Sequence, residues 1–102
     1  MKTQAENRLV MTKAEISARR PSSDPDRYSW VWVVPMLDGR FRIAAIEVPK
    51  HLVDEDICFY DGDFDTPYVK IVDGISEIDD AVREAGADPE ELDAPWHNNF
   101  PL

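Results

Sequence analysis

The chain has 102 residues, 43% hydrophobic and 31% charged, with a formal net charge of −10. That composition is globular rather than disordered, and the length fits one domain with a single core, too small for a deep multi-part active site. No stretch approaches the ~18 apolar residues of a membrane span, and the acidic balance opposes anionic lipid.

The charge is unevenly placed. Residues 1–50 carry nine Lys/Arg and six Asp/Glu, a net +3, whereas residues 51–102 carry two and fifteen, a net −13. Asymmetry of this kind points to an interaction surface or an acidic tail. Adaptation to a high-salt cytoplasm is the competing explanation, yet it would acidify the first half as well. Cys58 stands alone, so no internal disulfide can form, and the first residues lack the apolar run of a signal peptide. Both features fit a reducing, cytoplasmic setting.

Residues 1–8 are polar and aperiodic, which predicts a frayed start. Thr12-Lys13-Ala14-Glu15 has the form of a capping box and predicts a short helix over 13–20, with Arg19 and Arg20 at the negative end of its dipole. Pro21 ends it, and 21–26 reads as a loop. Tyr28-Ser29-Trp30-Val31-Trp32-Val33-Val34 predicts a strand, Asp38-Gly39 a tight turn, and 40–48 the returning strand of a hairpin. A two-residue turn pairs Trp32 with Ala45, a turn with a Gly bulge pairs it with Ala44, and one residue of slip exchanges the faces. Pro35 favours an edge position or an early break in the ladder.

Residues 57–60 predict a third strand, 61–67 a loop and 68–72 a fourth strand. Ile75, Ile78, Val82 and Ala85 recur three or four apart, predicting an amphipathic helix over 76–85 that Gly86 stops. Asp88-Pro89 starts one more helical turn. Residues 93–102 form an irregular tail whose Trp96 and Phe100 are expected to pack back on the body. The expected architecture is α+β: an antiparallel sheet of about four strands, a short N-terminal helix, and a C-terminal amphipathic helix covering one face.

Asp61-Gly62-Asp63-Phe64-Asp65 resembles the first five positions of an EF-hand calcium loop. The resemblance stops at Thr66, where such a loop needs Gly, and at Val72, where it needs a bidentate Glu. Asp61, Asp63 and Asp65 are therefore a weak candidate divalent-cation site, and otherwise a solvated acidic loop. On the 76–85 helix, Glu77, Asp80 and Glu84 fall along one flank of the apolar stripe. Carboxylates early in a helix complement its dipole, which accounts for Glu77 but not for Glu84.

Loop and helix together can merge into one negative surface of the kind that attracts Lys/Arg grooves in nucleases and nucleic-acid-binding regulators. DNA carries one charge per ~3.4 Å of strand, denser than a helix ridge repeating every ~5.4 Å, so any mimicry is partial. Trp30 and Trp32 share one face of their strand. They are either core residues or, with Tyr28 and Arg40 or Arg42, an exposed platform for a partner.

His51, Cys58 and His97 lack zinc-ligand spacing, and no nucleophile elbow or glycine-rich phosphate loop occurs. Neither a catalytic residue nor a cofactor is expected, and the chain reads as a non-enzyme. In size, acidity and lack of catalytic motifs it resembles small bacterial and phage inhibitors (immunity proteins, antitoxins, anti-CRISPR proteins) without sharing a motif with them. The leading expectation is a binding protein that masks the basic surface of a nuclease or nucleic-acid-binding complex. Its candidate contacts are Asp61, Asp63, Asp65, Glu77, Asp80, Glu84, Trp30 and Trp32, with no direct contact to nucleic acid or membrane. The alternatives are an accessory or structural domain, homodimeric through the Tyr28–Trp32 strand, whose acidity only aids solubility, and a weakly calcium- or magnesium-responsive domain.

Overall fold

A computed structural model describes residues 1–55 and 64–101. Helix α1 (Thr3–Val10) precedes strands β1 (Ile16–Arg20), β2 (Arg27–Pro35) and β3 (Phe41–Pro49). A short helix α2 (Lys50–Asp54) follows, then β4 (Asp65–Val72) and helix α3 (Ile78–Glu84), which a 3-10 turn (Ile75–Glu77) introduces. Two more 3-10 turns, Pro89–Glu91 and Pro95–His97, complete the chain. The strands form one antiparallel sheet in the order β1-β2-β3-β4, so the fold is the expected α+β meander with a helix near each end.

The start of the chain differs from expectation. Residues 3–10 are helical because Ala5 and Leu9, one turn apart, both bury against the sheet. The Thr12–Glu15 capping box does not form: Lys13 takes a left-handed backbone with φ 54°, and 16–20 are extended. Ile16 and Ala18 are fully buried on one face of β1, and that period-two burial outweighs the local helix signal. The expected third strand, 57–60, lies outside the described residues.

The hairpin resolves the open register. Gly39 (φ 89°) donates its N–H to the Met36 carbonyl at 3.2 Å, and the Met36 N–H donates to the Arg40 carbonyl at 2.8 Å. This is a tight turn closed by a left-handed glycine bulge, and it pairs Trp32 with Ala44. Pro35 is the last residue of β2, where its missing N–H costs no ladder bond. β2 is not an edge, since β1 and β3 flank it. A dimer built by adding a strand to 28–32 is thereby excluded.

Both faces of the sheet carry a core. Toward α1 and α3 lie Ile16, Ala18, Val31, Val33, Ile43 and Ala45, packed on Leu9, Ile78, Ala81, Val82 and Leu92. On the opposite face Trp30, Ile46 and Val48 are covered by Tyr28, Leu52, Val53, Phe64 and Phe100. Each fully buried Val, Leu or Ile contributes roughly 1.5–3 kcal/mol, against about 0–1 kcal/mol for an exposed ion pair, so these two layers hold the fold.

Gly86 ends α3 as expected. Its φ of 102° lets its N–H reach the Arg83 carbonyl at 3.0 Å while the Ala87 N–H reaches that of Val82 at 3.1 Å. Asp88 caps the next turn by accepting the Glu90 N–H at 2.9 Å. The tail then runs beside β1, where Ser17 and Asp93 exchange backbone hydrogen bonds of 2.9 and 3.0 Å. Its aromatics part company. Phe100 meets Trp30 edge-on with centroids 6.0 Å apart, whereas Trp96 stays 65% exposed under the Arg8 guanidinium.

Candidate protein-docking surface

Of the acidic residues named from the sequence, Asp65 lies in β4 and Glu84 contacts it. Burial of Ile78, Ala81, Val82 and Ala85 against the sheet fixes the roll of α3. Along the flank bearing Glu77, Asp80 and Glu84, the last residue lies next to β4. Glu84 reaches it: its carboxylate accepts the Tyr68 hydroxyl at 3.1 Å and lies 3.8 Å from the Lys70 ammonium. Burial raises the Tyr68 pKa from its usual 10.0, and the neighbouring carboxylate raises it further. Asp80 is 87% exposed and pairs loosely with Arg83 at 3.2 Å.

Not every carboxylate here is available to a partner. Glu77 accepts the backbone N–H groups of Asp73 and Gly74, each at 3.1 Å, and so fixes the entry to α3. Asp79 and Glu90 both lie 2.9 Å from the Met1 ammonium. Asp65 opens β4 and is ion-paired with Arg27. Asp61 and Asp63 lie outside the described residues, so the loop half of the expected acidic surface has no structural account beyond Asp65. Among the described residues no group of three or more His, Cys, Asp or Glu could hold a metal ion.

The tryptophans are not part of this surface. They lie on the face of the sheet opposite α3. Trp30 is fully buried and donates its indole N–H to the Asn98 carbonyl at 2.9 Å, which makes it a packing residue and removes it from the docking set. Trp32 is half-buried beside a cleft of about 340 Å³, whose described lining includes Arg42, Ala44, Phe64 and Thr66. Of the two roles open to this strand face, Trp30 takes the core one, and the alternative exposed platform of Tyr28, Trp30 and Trp32 lacks its central ring.

Three features were not found by reading the sequence. Val69 and Ile71, on the side of β4 away from α3, are 50% and 45% exposed. At the β2–β3 turn, beside the end of β4, Val10, Met36, Leu37 and Phe41 border a groove of about 250 Å³ that Lys13 and Arg40 also line. Glu47, although charged, is buried and accepts the Ser23 N–H at 3.0 Å and its hydroxyl at 2.9 Å, with Arg20 and Arg27 within 4.0 Å. This network ties the 21–26 loop to β3.

No family model matches the chain, and no curated protein or solved structure matches it either. No helix among the described residues is long and apolar enough to cross a membrane.

Proposed function

We propose that the chain is a non-catalytic, stoichiometric inhibitor that masks the basic surface of a nucleic-acid-handling protein with the acidic side formed by α3 and β4. The supporting observation is that Asp80 and Glu84 of α3 stay open to solvent after pairing with Arg83 and Lys70. A surface of that sign speeds encounter with a positive groove and makes association salt-dependent, while apolar anchors supply the affinity. The buried Trp30 cannot be such an anchor; Val69 and Ile71 can.

Lysate passed over the immobilised chain and over its Asp80→Lys/Glu84→Lys variant tests this reading. A basic nucleic-acid-binding protein is expected on the first matrix and not on the second, released by a salt step. Its binding or cleavage of nucleic acid should then be blocked by equimolar chain. Equal retention by both matrices, or capture without inhibition, would overturn the reading and leave the acidity as a solubility feature.

A further inference from the structure

We draw no further inference here: the strongest candidate, the apolar groove at the β2–β3 turn bordered by Val10, Met36, Leu37 and Phe41, carries none because nothing in the structure shows what covers it.

Discussion

The Tyr68 hydroxyl donates to the Glu84 carboxylate at 3.1 Å, so a single hydrogen bond ties the last turn of α3 to the edge strand of the sheet. It also holds that carboxylate at the edge, with 59% of its side chain still exposed. The contact has a measurable signature, because the phenol is stabilised in its neutral form first by burial and then by the adjacent charge. A folded pKa above the unfolded 10.0 gives a stability contribution that is complete below about pH 10 and is lost as pH rises through the folded value. In a phenolate absorbance titration, Tyr68→Phe should remove a component titrating above pH 10.0. Glu84→Gln should move that component down without restoring it to its ordinary position, since burial persists.

Glu47 should be the most costly charged residue to remove. Its carboxylate is buried among Ser23, Arg20 and Arg27, and truncation leaves both the loop donors and the two guanidinium groups without it. Glu47→Ala is expected to destabilise the chain by about 2–4 kcal/mol, measured as a drop in urea midpoint without a change in slope. A loss below about 0.5 kcal/mol would place it with ordinary surface substitutions and show that the network does not hold the 21–26 loop.

Phe100 closes the second core over the indoles, its centroid 6.0 Å from Trp30 and 5.3 Å from Trp32. Phe100→Ala should cost about 1–3 kcal/mol, less than a fully buried Phe because this ring is only partly enclosed. Intrinsic tryptophan fluorescence should shift to the red as water reaches Trp30 and Trp32. An unchanged spectrum would mean that the tail does not shield them in solution.

Acid sensitivity is expected at Asp93. Burial pushes its pKa up, but the Ala94 N–H, His97 and Lys2 together outweigh burial and hold it below the usual 3.8. Stability from a lowered carboxylate pKa is present above the unfolded value and is lost as pH falls through the folded one. Asp93→Asn should therefore lower stability at neutral pH and flatten its decline between about pH 6 and pH 2, followed by urea unfolding. A parallel decline in variant and parent would remove Asp93 from the acid limb.

The elements that the sequence determined by itself are those in which local chemistry and burial agree. The 28–48 hairpin is specified by β-branched and aromatic residues around Asp38-Gly39. The helix ending at Gly86 is specified by its apolar stripe and a residue able to take φ 102°. The flank of Glu77, Asp80 and Glu84 followed from helical geometry alone. Only the tertiary structure decided the rest. Thr12–Glu15 carries a valid helix start, yet burying Ile16 and Ala18 beside β2 stabilises a strand there by more than a cap can offer a short helix. Trp30 and Trp32 alternate identically in sequence, and the indole that is fully sealed is the one whose N–H meets the Asn98 carbonyl, arriving from the far end of the chain. Among the described strands β4 comes last in the sheet, and that Val69 and Ile71 are left half in water follows from that pairing order. Pairing order is a non-local property: a strand's own residues record which faces alternate but not which neighbour it lacks.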